Sequence, residues 1–252
     1  TSAVSTTVTI NALPVVAAIT GTTSVCEGAT TTLASTTTGG VWSTANTATA
    51  TINSTTGVVT GVAAGTTTMT YTVTNANGCT SSVSTALVVN AIPQVAAISG
   101  TTEVCVGLTT ALANATAGGV WTSSNTGVAT IDASGVVTGV AAGSTTITYT
   151  VTTNGCTANA QAVVNVNALP TLAAIGGTMN ACIGSSTILT NTTSGGVWTT
   201  SNAAVATVNT ITGNVTGVTA GTATITYTYT NSNGCTSAVS TTVTINALPV
   251  VA

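Results

Sequence analysis

The chain has 252 residues, 44% of them apolar, three acids (Glu27, Glu103 and Asp132) and no lysine, arginine or histidine. Nucleic acid and anionic lipid are both held by cations, so those two partner classes are excluded. A metal site built from imidazoles or clustered carboxylates is excluded as well, and no cofactor is expected.

One stretch is written three times: Gly39-Gly40-Val41-Trp42, Gly118-Gly119-Val120-Trp121 and Gly195-Gly196-Val197-Trp198, which hold all three tryptophans. Around it recur a cysteine 16 residues earlier (Cys26, Cys105, Cys182), an asparagine four later (Asn46, Asn125, Asn202) and a glycine about 22 later (Gly65, Gly143, Gly221). Self-similarity of this length means three copies of one small domain. Residues 1–17 and 236–252 are the same seventeen letters, as expected of an excerpt from a longer pattern. Disorder goes with low hydrophobicity and high net charge, and neither applies here.

Each copy opens on a proline phrase. Asn-Ala-Leu/Ile-Pro ends at Pro14, Pro93, Pro170 and Pro249, the only four prolines, and these are read as domain junctions. Proline gives up a backbone donor and holds its neighbour extended, which suits a taut connection. The expected organisation is 1–10 as the last strand of a preceding repeat, repeats at 11–89, 90–166 and 167–245, and 246–252 as the start of the next.

In the first repeat a short apolar strand is expected at Val15 to Ile19, a turn at Glu27-Gly28 and a second strand at Thr31 to Ser35. The Gly39-Gly40 turn leads into a third strand carrying Trp42. A fourth runs from Ala48 to Asn53 and a fifth from Val58 to Val62. The sixth alternates Met69, Tyr71 and Val73 with threonines, the clearest period-2 signal in the chain. Asn77-Gly78 is a hairpin turn, and the seventh strand spans Ser82 to Val89. The second copy is shorter in two of these turns, where a sandwich tolerates deletion. About seven short strands with no helical periodicity predict an all-β chain of tandem immunoglobulin-like sandwiches in a linear array.

Trp-x-x-x-Asn, then Ala-Thr-Ile/Val-Asn/Asp, Gly-x-Val-Thr-Gly-Val-x-Ala-Gly-Thr and Thr-Ile-Thr-Tyr together resemble the group 2 bacterial Ig-like repeat. That family includes stalk domains of invasin and intimin-type adhesins. Cys-x-Gly before the second strand and Asn-Gly-Cys after the sixth resemble repeats in giant surface proteins of gliding Bacteroidetes. The resemblance covers essentially the whole chain and implies export to the cell surface, for the gliding group by type IX secretion. It implies nothing about a ligand.

Six cysteines, two per repeat, read as a disulfide framework and hence an oxidising compartment. If the topology is immunoglobulin-like, Cys26 and Cys79 lie at opposite ends of one sandwich, roughly 20–25 Å apart, whereas a bridge needs Cα atoms within about 7 Å. Staggered bridges Cys26–Cys156 and Cys105–Cys235 are therefore expected, leaving Cys79 and Cys182 for neighbouring repeats. One bridge inside each repeat is the alternative. Trp42, Trp121 and Trp198, with Tyr71, Tyr149 and Tyr227, are expected in the core rather than as sugar-stacking platforms.

The three acids read as exposed turn residues, because nucleophilic catalysis needs a base that this chain does not supply. No enzymatic function is expected. The expected function is the structural shaft of an extracellular bacterial filament or giant adhesin, serving attachment, gliding or capture of other cells. The alternative is an adhesive module whose repeats contact glycans or a partner cell. Expected partners are other copies of the same chain, since no charge guards the threonine-rich strands, and another cell's surface through a tip region. No apolar run is long enough for membrane insertion.

Overall fold

Threonines alternating with larger apolar residues place one set of side chains on each face of a strand, and the longest such runs form the longest strands. The computed structural model describes residues 3–249. The first repeat holds β1 (Thr20–Gly21), β2 (Ser24–Cys26), β3 (Thr30–Ala34), β4 (Val41–Thr44), β5 (Ala50–Ile52), β6 (Val58–Gly61), β7 (Gly65–Thr74) and β8 (Thr80–Asn90). The second holds β9 (Ser99–Gly100), β10 (Glu103–Cys105), β11 (Thr109–Ala113), β12 (Val120–Ser123), β13 (Ala129–Ile131), β14 (Val136–Gly139), β15 (Gly143–Thr153) and β16 (Cys156–Asn167). The third holds β17 (Gly176–Gly177), β18 (Asn180–Cys182), β19 (Ser186–Thr190), β20 (Val197–Thr200), β21 (Ala206–Val208), β22 (Asn214–Gly217), β23 (Gly221–Thr230) and β24 (Thr236–Asn246).

Each repeat builds two four-stranded sheets, in the first β1-β3-β6-β5 and β2-β8-β7-β4, and the other two repeat this order. The pairing is antiparallel except for β2, which lies parallel to the end of β8. Between the sheets of the first repeat sit Leu33, Trp42, Val59, Met69, Tyr71, Leu87 and Val89. Burying a side chain of this size stabilises by about 1.5–3 kcal/mol. The second and third repeats have their own clusters, around Leu112, Ile147 and Val164 and around Leu189, Ile225 and Val243. By contacts the described residues form two compact units, one of residues 3–97, 114–120 and 149–160, the other of 98–113, 121–148 and 161–249.

The structure corrects several expectations. There are eight strands per repeat, not seven, because the segment before the first cysteine contributes two short strands to different sheets. Val15 to Ile19 is not a strand. Its backbone is held by side chains instead: the Ala17 N–H donates to Thr37 Oγ1 at 2.9 Å, and Ser35 Oγ donates to the Ala17 carbonyl. The fourth strand is cut to Ala50–Ile52 because Asn46 turns the chain, its Oδ1 accepting from the Ala48 N–H at 3.0 Å. Residues 3–10 form no strand either, and 1–2 lie outside the described residues. Asn90, Asn167 and Asn246 end β8, β16 and β24, so each last strand runs one residue past the expected boundary. Of the expected start at 246–252, residues 250–252 lie outside the described residues.

Candidate functional site

The Gly-Gly-Val-Trp stretch is a clamp. Gly39 turns the chain at φ 79°, in the left-handed region that suits glycine, and β4 then sets Trp42 opposite Tyr71 of β7. The two rings lie 4.6 Å apart between centroids. The Tyr71 hydroxyl donates to the Thr37 carbonyl and accepts from the Gly40 N–H, both at 2.8 Å. A Cβ on Gly40 would overlap the Tyr71 ring, so the second glycine is there for space and not for backbone angle. Tyr149 holds Thr116 and Gly119 in the same way, and Tyr227 holds Thr193 and Gly196. Trp42 and Trp198 are buried; Trp121 is half-buried and packs against the second core. Shallow grooves beside the Gly-Gly turns of the first and third repeats are lined in part by these paired aromatic side chains, Trp42 with Tyr71 and Trp198 with Tyr227.

The junction residues are the other recurring site. Because β2 pairs with the end of β8, Cys26 stands beside Asn90, eleven residues and roughly 35 Å along the strand from Cys79. Beyond Pro93 the chain comes back as the β15–β16 hairpin, whose turn holds Asn154 at φ 51° and sets Cys156 against the same Asn90. Cys26 and Cys156 form a disulfide with Cα atoms 5.7 Å apart. Asn90 ties the place together: its Nδ2 donates to Ser24 Oγ and to the Asn154 carbonyl, and its own carbonyl accepts from the Glu27 N–H.

Cys105 and Cys235 form the second disulfide, with Cα atoms 5.6 Å apart. Asn167 takes the place of Asn90, and the Asn231 Nδ2 donates to the Ala168 carbonyl. Neither bridge joins the two cysteines of one repeat. Each closes 130 residues of sequence, which in a chain-entropy account removes on the order of 5 kcal/mol from the unfolded state. Pro14, Pro93 and Pro170 are half-buried at the starts of the repeats, and Pro249 is exposed.

Cys79 and Cys182 are free thiols among the described residues. Each nonetheless sits where its bridged counterparts sit. Cys182 ends β18 beside Asn246 of β24, and the Cys79 sulfur lies 3.9 Å from the Asn11 carbonyl. Asn75 Nδ2 also donates to the Ala12 carbonyl at 2.9 Å, matching Asn231 on Ala168.

The acids serve the backbone. Glu27 Oε1 accepts from the Ala64 N–H at 2.7 Å. Glu103 is on β10 rather than in a turn, and its carboxylate accepts from the Asn165 and Asn167 side chains, which hold its pKa below the usual carboxylate range. Asp132 is lowered as well, first by the Ser134 hydroxyl and then by the Val136 N–H. Among the described residues no three histidine, cysteine or acidic side chains gather as a metal site, and no helix is long and apolar enough to cross a membrane. Sequence reasoning missed the tyrosine clamp and the junction asparagines. The signal was present: a turn needs one glycine at positive φ, so the second glycine of each pair lacked a reason.

The model of the bacterial Ig-like domain (group 2) matches residues 85–164 and 185–246. No curated protein matches the chain in sequence. Among solved structures, the surface layer protein SbsC (domains 1–6) is 18% identical over 95% of this chain and 41% of its own, with a TM-score of 0.28. A SusE-like surface-located polysaccharide-binding protein from Bacteroides thetaiotaomicron is 15% identical over 82% of this chain and 43% of its own, with a TM-score of 0.37. An I-band fragment of titin is 12% identical over 92% of this chain and 99% of its own, with a TM-score of 0.34. The chain thus spans about two fifths of the length of the two surface proteins. With more than half of its residues matched by the family model, and with paired four-stranded sheets throughout, the chain belongs to the bacterial Ig-like domain (group 2) family.

Proposed function

We propose that the chain is a length of structural shaft from an extracellular bacterial filament or giant repetitive surface adhesin. The observation that carries this reading is the staggered disulfide. Each bridge ties a strand end of one repeat to a hairpin of the next, so the proline connection is covalently doubled. A tensile load then crosses each junction through sulfur as well as through the proline connection. Disulfides persist in oxidising surroundings, which supports a place outside the cell. Attachment, gliding or capture of other cells would be served by a tip region carried at the end of such a shaft, and the family resemblance to gliding Bacteroidetes supports export by type IX secretion.

Lateral contact between copies is part of the proposal. The valine of each Gly-Gly-Val-Trp stretch, Val41, Val120 and Val197, stands exposed on a sheet edge, and no charge guards it. Backbone pairing across that edge is blunted in the first and third repeats, where the Trp42 and Trp198 N–H groups donate to the Ser54 and Thr210 carbonyls. Small apolar and hydroxyl contacts are what the surface offers.

Pulling single molecules by their ends tests the shaft. With both bridges intact the shortest covalent path leaves about 330 Å of extensible chain, against about 880 Å after reduction. Equal extensions in the two states would refute tension-bearing by the bridges. The same protein should leave cells and polysaccharide uncoated; coating would instead favour repeats that are themselves adhesive.

A further inference from the structure

The second repeat is crossed twice by covalent chain between its two bridges. One crossing is residues 91–105, which leave Asn90 and reach Cys105. The other is β16, twelve residues from Cys156 to Asn167. The two start together, since the Cys156 sulfur lies 3.8 Å from the Asn90 carbonyl, and end together, since Cys105 pairs with Asn167. β10 and β16 are parallel, so both crossings run the same way where they meet. Glu103 ties them, its two carboxylate oxygens accepting from the Asn165 and Asn167 side chains at 2.7 and 2.8 Å. Residues 106–155, with β11 to β15 and the core side chains Leu112, Val137 and Ile147, lie on neither crossing. The first and third repeats have the same parallel pairing, β2 with β8 and β18 with β24.

We propose that tension passes along two covalent routes that change over at the bridges, and that the other strands of each sandwich form a bracket that bears none of it. One route runs through β8, residues 91–105, the Cys105–Cys235 bridge and β24. The other runs through Cys26, its bridge to Cys156, β16 and residues 168–182. Long parts of both routes are strands, already close to full extension, so loading them releases little length. Both are pulled in the same direction. The parallel ladder between them is therefore loaded only by the difference in their tensions. β11 to β15 keep the two routes in register through the packed core, and their own stability does not limit the load. The load itself rests on the shaft reading; the strands that bear it follow from the covalent path.

Azide-bearing residues at the exposed positions 80 and 246 of the full-length chain give handles at the two ends of one route. With the bridges intact that route measures about 130 Å at full extension, against about 580 Å between the same handles after reduction. Ile147→Ala and Val137→Ala each truncate a side chain that is 0% exposed in the bypassed segment. In the reduced chain, where residues 106–155 are on the path, each variant should lower the force of one unfolding step. In the bridged chain the force that draws the handles to their limit should equal that of the native protein. A lowered force in the bridged chain would overturn the proposal, because the core would then be bearing load. Two variants in different sheets keep the test open if one of them fails to fold. This outcome is separate from the shaft reading, which fails only if the bridged and reduced chains extend equally when pulled by their ends.

Discussion

Two regions of this molecule share one sequence and differ in structure. Residues 238–245 are a central part of β24, with β23 on one side and β18 on the other. Residues 3–10 spell the same letters, form no strand and expose their valines and isoleucine. Local propensity is identical, so the difference is entirely one of partners. The alternation of apolar and hydroxyl residues marks a segment as able to fill a half-buried pleated place; a neighbouring strand has to provide that place.

Substitution at matched positions sharpens the contrast. Val243→Asp places a carboxylate between the sheets and should lower the stability of the third repeat by about 5 kcal/mol or more, whereas Val8→Asp should change stability by less than about 0.5 kcal/mol. Urea titration followed by Trp198 fluorescence would read both. Equal losses would mean that residues 3–10 are docked after all.

The cysteines extend the comparison to covalent partners. Cys105→Ser should cost about 3–5 kcal/mol, and Cys182→Ser, a chemically identical change at the matching strand end, close to nothing in the isolated chain. Thermal melts of the two variants under non-reducing conditions suffice. Smaller still is the loss of a pair of hydrogen bonds: Tyr227→Phe leaves the Gly196 N–H and the Thr193 carbonyl unpaired and should cost about 1–3 kcal/mol. A calorimetric loss below this range would mean that water replaces the hydroxyl.

The smallest effect concerns pH and separates the two closed junctions. Glu103 accepts two asparagine side chains at the second, while uncharged Ser24 stands in its place at the first. Its carboxyl pKa is lowered in the folded state, so its contribution is complete above the ordinary carboxylate range. That contribution fades as pH falls through the lowered value. Melting temperatures of the native protein and Glu103→Gln, compared from neutral to strongly acid solution, should converge at the acid end; a constant gap would show that the charge is not involved.

Much of the architecture was legible because it is periodic. The Thr-x-Thr runs of β7 and β23 set which face is buried, and the Gly, Pro and Asn punctuation marks the turns. The family is legible for the same reason, its motif spanning every repeat. What could not be read was whatever depends on another segment. Val15 to Ile19 looks like a strand, yet the Ala17 N–H and carbonyl at its centre are bonded by the Thr37 and Ser35 side chains, a substitution that no local pattern announces. Glu103 follows a run of threonines and reads as a turn acid until β16 is placed beside it. The tyrosine clamp links residues about thirty positions apart, and only the unexplained second glycine hints at it.

The two bridges overlap in sequence, since Cys105 lies inside the span closed by Cys26 and Cys156. A single backbone cut anywhere from residue 26 to residue 235 therefore leaves both pieces joined through at least one sulfur pair. Between residues 105 and 156 two pairs still hold. The polymer is in this sense tolerant of damage: hydrolysis at one point converts a continuous chain into a spliced one, and severing it between residues 26 and 235 by hydrolysis alone takes three cuts, one in each of the spans 26–105, 105–156 and 156–235.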